Sequence, residues 1–323
     1  MQSDYSYLPF EPLNPQQALK RPAVAYLLDD FIPRGGMVML YGRSGAGKTF
    51  LALNWAAQIA ERAPVIYLVT EGQRGFPERI AAWQAFHERP MGWKMQFIFR
   101  AANLLDEGEV GNLLTTARAI RPALLVFDTL ANCIPGADEN SAQDMSRLIR
   151  ACQRIMGETG AAVLLIHHKT KTGGGERGSS ALRAAMDVMV EVDEGDGGLY
   201  TVSCAKAKDA APFPDAHYRL QPAAESCVLV ATDRAEWRTR YQPLHEAERT
   251  VLGVIARGEF AERGIKAGDI HTCLPDYSER TLFRVLAALK QRGLVSQTQE
   301  RAPYHLADKG RAMLGAGENG HAA

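Results

Sequence analysis

The chain has 323 residues, with 46% hydrophobic residues and 37 Lys+Arg balanced by 37 Asp+Glu. That is enough for one sizeable α/β domain and a small second one, and zero net charge excludes a global field that would steer it to nucleic acid or membrane, so any such surface must be local. Cys133, Cys152, Cys204, Cys227 and Cys273 show no CxxC spacing and are expected to be reduced and mostly buried. The absence of a leader pattern and of an apolar run near the roughly 18 residues that cross a bilayer points to a soluble cytoplasmic protein without a membrane partner.

Residues 1–35 are rich in Pro and polar side chains and read as a lead-in, with an amphipathic patch over 23–31 expected to pack on a neighbouring surface. The run Met37-Val38-Met39-Leu40-Tyr41 then reads as a buried strand and residues 50–62 as a helix. Between them, Gly42-Arg43-Ser44-Gly45-Ala46-Gly47-Lys48-Thr49 fits GxxxxGK[ST] in the strand, loop, helix context that motif requires. Glycines let backbone N–H groups turn onto a polyphosphate at a helix N-terminus, where the helix dipole favours an anion. Lys48 adds a point charge at the β/γ-phosphates and Thr49 a hydroxyl for Mg²⁺. The expected ligand is ATP with Mg²⁺, held by residues 42–49 together with Phe50.

Further continuous apolar runs follow at 65–69, 97–99, 124–127, 163–166 and 188–192, alternating with helical patterns such as 141–158. Strands covered on both faces read this way, so an α/β core over 36–240 with a mostly parallel, doubly wound sheet is expected. Runs 199–205 and 227–231 read as an antiparallel extension. Leu124-Leu125-Val126-Phe127-Asp128 is an apolar strand ending in a carboxylate, placed to orient the Mg²⁺ shell. Glu71 ends the preceding strand in the same way and is expected to polarise the attacking water. His167-His168 end the next strand, and because Val163, Leu165 and His167 share one parity, His168 is the expected γ-phosphate sensor. The basic, glycine-rich stretch 169–180 carries Lys169, Lys171 and Arg177, suited to a nucleic-acid backbone or else merely solvated. Lys206-Ala207-Lys208 puts two cations on one strand face, either surface charge or a contribution to a neighbouring subunit's ATP site.

In this order and context, Gly42 to Thr49, Glu71, Asp128, His167-His168 and Lys206-Ala207-Lys208 resemble the RecA-type ATPase core of the plasmid RepA-type hexameric helicase group, over about two thirds of the chain. The resemblance implies a RecA-like P-loop NTPase fold, a homo-oligomer of hexameric form, a DNA channel reached by Lys169, Lys171 and Arg177, and Lys206 or Lys208 acting across the subunit interface. That group often has Arg in the second cation position. Lys208 cannot make the same bidentate contact, and Arg183 is the reserve candidate.

From residue 246 the idiom changes to three short helices, at 246–257, 266–274 and 278–292, followed by a hairpin-like segment at 295–306. This resembles a winged helix, assigned to 241–312, with 313–323 and the residues from about Arg311 onward read as a disordered tail. Arg280 and Arg284 lie opposite the apolar face of the third helix and mark a surface for duplex DNA or for protein. The sequence therefore reads as an ATP-hydrolysing, DNA-associated motor or helicase of a plasmid, phage or other mobile element, with single-stranded and duplex DNA and replication or mobile-element proteins as partners. An ATP-switched DNA-binding loader or regulator without unwinding activity is the alternative, and a RecA-like recombination filament a third. DNA-stimulated turnover with unwinding favours the first, and ATP-dependent binding without unwinding the second.

Overall fold

The long apolar runs become the middle of one large sheet, because a strand with apolar side chains on both faces is stable only between two helical layers. A computed structural model describes residues 12–169, 179–195, 198–233, 246–260, 263–299 and 302–315, and the chain divides into two units, Met1–Thr232 and Asp233–Ala323. In chain order the first unit has α1 (Pro15–Ala18), β1 (Tyr26–Leu28), β2 (Ile32–Pro33), β3 (Met37–Gly42), α2 (Lys48–Ala60), β4 (Val65–Val69), α3 (Phe76–His87), β5 (Met95–Ile98), α4 (Glu107–Ile120) and β6 (Leu124–Asp128). There follow α5 (Ala142–Thr159), β7 (Ala162–His168), α6 (Ser180–Ala185), β8 (Val188–Glu194), β9 (Leu199–Ala207), β10 (Ala216–Ala223) and β11 (Ser226–Ala231).

The nine-stranded sheet runs β11-β10-β9-β8-β3-β7-β6-β4-β5. From β8 to β5 every pairing is parallel, while β9, β10 and β11 continue it antiparallel. The P-loop strand β3 thus lies between β7 and β8, one strand removed from β6, which is a RecA-like P-loop NTPase arrangement. Alternate residues serve the two layers. Val38, Leu40, Tyr67 and Val126 face α2 and Phe76 of α3; Met39, Tyr41, Leu68 and Phe127 face α4 and α5. Helix α5 shows why such covers form: the Ser141 side chain accepts the Asp144 N–H, and Met145, Leu148, Cys152 and Ile155 fall on one buried stripe.

Several sequence expectations need correction. The amphipathic patch at 23–31 is not a helix: β1 and β2 form a hairpin whose Leu27, Leu28 and Phe31 pack on this unit's own core, with the Phe31 ring 4.7 Å from Trp55. Strand β10 has no counterpart in the sequence reading, because its residues are half-buried and Pro222 looks like punctuation. All five cysteines are free, but only Cys133 and Cys152 are buried; burial pushes both thiols up to about 12, so neither is a nucleophile at neutral pH.

Gly42 illustrates how closely the central strands approach. A Cβ there would lie 2.1 Å from the Val192 carbonyl oxygen of β8. Gly42→Ala is expected to destabilise the unit by about 1–3 kcal/mol through overpacking, visible as a lower denaturation midpoint at unchanged m-value.

The second unit contains α7 (Glu246–Ile255), α8 (Ala267–Cys273), α9 (Glu279–Gln291), β12 (Val295–Ser296), β13 (His305–Leu306) and α10 (Asp308–Gly315). Val251, Ile255, Ile270, Leu282, Leu286 and Leu289 form its core. β12 and β13 pair antiparallel, and Ile265 bridges Tyr304 beside them. Ser278 caps α9 by accepting the Thr281 N–H at 3.2 Å; Gly293 follows in the left-handed conformation, φ 68°. The Arg292–Glu248 pair, 2.5 Å long, ties the end of α9 to α7. The expected disorder beyond about Arg311 is wrong in its first residues, since α10 runs to Gly315 and Leu314 packs on the core. Among the described residues no helix is long and apolar enough to cross a membrane.

Candidate active site

The cavity at the carboxyl end of the parallel strands is built from three strand ends and one helix start. Gly45 and Gly47, at φ 84° and 76°, turn the chain from β3 into α2 through a conformation that disfavours a side chain. Arg43, Ser44 and Gly45 are exposed, whereas Ala46, Gly47 and Lys48 are buried, and Thr49 and Phe50 are half-buried. The Lys48 ammonium donates to the carbonyls of Gly42 at 3.0 Å and Arg43 at 2.6 Å. Burial pulls its pKa below the ordinary value, opposed by the charges of Asp128 and Glu71.

Asp128 is buried. Its carboxylate accepts the Thr49 hydroxyl at 3.3 Å and the Tyr67 hydroxyl at 2.7 Å. Burial raises its pKa, and those two hydrogen bonds work against the rise. Glu71 accepts the Thr129 hydroxyl at 3.2 Å. Backbone stitching holds these groups together, since the Thr70 N–H donates to the Asp128 carbonyl at 2.8 Å and the Thr70 hydroxyl to the Thr129 carbonyl at 3.1 Å.

Residues 44–50, Glu71, Gly72, Asp128, Thr129 and His168 line one cavity, together with Arg79. His167 points into the sheet and is 1% exposed. Arg79 is absent from the sequence reading: it comes from α3, with its guanidinium 5.2 Å from the Phe50 ring centre and 5.9 Å from that of Phe76. Nothing near it in sequence forms a motif. Tyr67, the partner of Asp128, is missed as well, although an aromatic hydroxyl in a wholly apolar strand is a signal that it needs a buried acceptor. Among the described residues no three His, Cys, Asp or Glu side chains cluster as a protein-only metal site, so a metal here would have to share its shell with phosphate and water.

The other candidates lie elsewhere. The Lys206 ammonium donates to the carbonyls of Arg183, Ala184 and Met186 at 2.8, 3.0 and 2.6 Å, closing the end of α6. Lys208 is 3.6 Å from Asp187, whose carboxylate also accepts the Met37 N–H at 2.9 Å. Lys206 pairs with Met189, at the start of β8, whereas Gly42 aligns with Val192. Both lysines therefore sit at the edge of the sheet opposite this chain's own cavity. Lys169 pairs with Glu191; Lys171 and Arg177 lie outside the described residues. In the second unit Arg280 and Arg284 are exposed on α9, opposite the buried Leu282, Val285, Leu286 and Leu289, and Phe283 between them is 57% exposed.

Comparison with known structures finds a likeness to the ATPase domain of a helicase at 14% identity, covering 66% of this chain and 94% of that one with a TM-score of 0.48. The RadB recombinase is similar at 20% identity over 58% of this chain and 88% of its own, TM-score 0.46. Residues 6–174, just over half of the chain, match the model of the AAA domain family AAA_25, and the protein belongs to that family.

Proposed function

We propose that the protein is an oligomeric, Mg²⁺-dependent ATPase that acts on DNA as a motor or helicase, working as a hexameric ring and serving a plasmid, phage or other mobile element. The observation that carries the ATPase reading is the convergence of Lys48, Thr49, Asp128, Glu71 and His168 on one cavity. Lys48 turns from the P-loop carbonyls to the β/γ-phosphates when ATP binds. The Thr49 hydroxyl and the Asp128 carboxylate, 3.3 Å apart, fit an octahedral Mg²⁺ that keeps most of its shell as water and phosphate. Mg²⁺ supplies charge neutralisation at the β- and γ-phosphates. Glu71, steered by Thr129, takes the proton of the attacking water, His168 senses the γ-phosphate, and Arg79 adds positive charge at the cavity wall. Lys48→Ala tests this reading. Loss of a charge-assisted contact of about 1.5–3 kcal/mol should weaken ATP binding by about 10- to 150-fold, and unchanged affinity in a titration would refute it.

Across a subunit interface, Lys208 is the better placed of the two strand lysines, because Lys206 is already held by three carbonyls. A lysine in that position also supports the second reading, an ATP-switched loader or regulator. Its point charge matches a transferring phosphate less well than a guanidinium fork, so slower hydrolysis and longer-lived ATP states follow.

For the second unit we propose a winged helix that reads duplex DNA with α9. Its support is the order of three helices and a hairpin, the exposed Arg280 and Arg284, and seven Lys/Arg against two Asp/Glu between residues 280 and 311. Arg280→Ala with Arg284→Ala is expected to weaken duplex binding and flatten its salt dependence, each lost phosphate contact lowering the slope by about one unit. Unchanged duplex affinity and slope would assign the unit to protein docking and favour the loader.

A further inference from the structure

Lys169 does not sit in solvent as a free backbone-tracking cation. It follows His168 directly, and its N–H donates to the Gly42 carbonyl at 3.0 Å, which fixes the residue against the first glycine of the P-loop. Its ammonium is ion-paired with the Glu191 carboxylate of β8, and the two side chains are only 13% and 23% exposed. The other Glu191 oxygen accepts the Tyr41 hydroxyl at 3.1 Å, so the acid is oriented from β3 as well. Three strands meet in this contact: β7 through Lys169, β8 through Glu191 and β3 through Tyr41. A half-buried ion pair with one partner oriented by a second hydrogen bond is held more firmly than a surface pair.

We infer that Glu191 occupies on Lys169 the place that a phosphate of single-stranded nucleic acid takes when it binds, so that Lys169 is a nucleic-acid contact held in reserve. The inference rests on the reading that this end of the sheet meets nucleic acid. The carboxylate and a phosphate oxygen are alternative anionic acceptors for the same ammonium, and engagement exchanges one for the other without leaving the lysine buried and unpaired. The strand must then displace Glu191 as well as bind, which lowers its affinity and links its arrival to the residue next to His168.

The test is binding of a labelled oligo(dT) of about 30 nucleotides to the full chain, with Mg²⁺ and a non-hydrolysable ATP analogue, across a salt series. Glu191→Gln keeps an acceptor for Tyr41 and removes the competing charge; it is expected to bind roughly three- to tenfold tighter. Lys169→Ala should bind more weakly, with a slope shallower by about 0.7. Its loss should be several-fold larger in the Glu191→Gln background than in the parent, because only there is the whole phosphate contact expressed. An unchanged affinity of Glu191→Gln, or an equal loss on removing Lys169 in both backgrounds, overturns the inference while leaving the nucleic-acid reading in place. Failure of the parent and every variant to bind oligo(dT) overturns the reading beneath it. Should Glu191→Gln not fold, Glu191→Asp, one methylene shorter, carries the same comparison.

Discussion

Glu71→Gln is expected to bind ATP as the parent does and to hydrolyse it about 10²–10⁴-fold more slowly, the usual contribution of a positioned general base. The amide has nearly the shape of the carboxylate, and its oxygen can still accept the Thr129 hydroxyl that holds Glu71 at 3.2 Å. What disappears is the lone pair able to take a proton from water, together with one negative charge facing Lys48. Nucleotide affinity should therefore stay or rise slightly while phosphate release stops. Measuring the two separately matters, because Lys48→Ala removes both through binding alone. Parental turnover in Glu71→Gln would show that another acid activates water; the remaining candidate, Glu176, lies outside the described residues.

The other large effect belongs to Lys208. Lys208→Ala should leave the nucleotide affinity of an isolated subunit nearly unchanged, since the residue sits at the sheet edge away from its own cavity. Assembly-dependent hydrolysis should fall by up to about 10³, the lower end of the roughly 10³–10⁵ that an arginine finger contributes. Lys206→Ala should instead lower the melting temperature, because three carbonyls at the end of α6 lose their donor. Mixing Lys208→Ala with Glu71→Gln subunits gives the decisive measurement. Interfaces that pair an intact acid from one subunit with an intact lysine from its neighbour would regain activity; a strictly additive mixture would mean that Lys208 does not act between subunits.

The parts of this molecule that can be read in its sequence are those whose physics is local. A glycine-rich turn between a strand and a helix, or a carboxylate at the end of an apolar run, is written within about ten residues, so the P-loop, Glu71 and Asp128 are legible without coordinates. Strand parity is enough to separate His167 from His168. Arg79 is not readable, because it enters the cavity from a helix whose packing on Phe50 and Phe76 is set by the tertiary fold. Lys206 and Lys169 fail for a related reason. Their partners are the end of α6 and a glutamate on β8, and neither pairing can be seen until the sheet order is known. The doublet also hides a bulge at Ala205, where the register against β8 passes from Met189↔Lys206 to Val190↔Cys204, so the even spacing of two cations on one face is only apparent.

The position of β3 between β7 and β8 has a bearing on how the protein is made. As the chain leaves the ribosome, β4, β5 and β6 emerge close together and are one another's neighbours, so that half of the sheet can assemble early. The strand that carries the P-loop emerges before them, yet both of its edges wait for β7 and β8, which are synthesised much later. Non-local pairing of this kind is slow, and an apolar strand left open on both edges is the sort of surface that chaperones cover. Nascent chains halted before β8 would thus carry the full ATP-binding motif without the strand that holds it flat, and the nucleotide pocket is among the last features of the domain to be born.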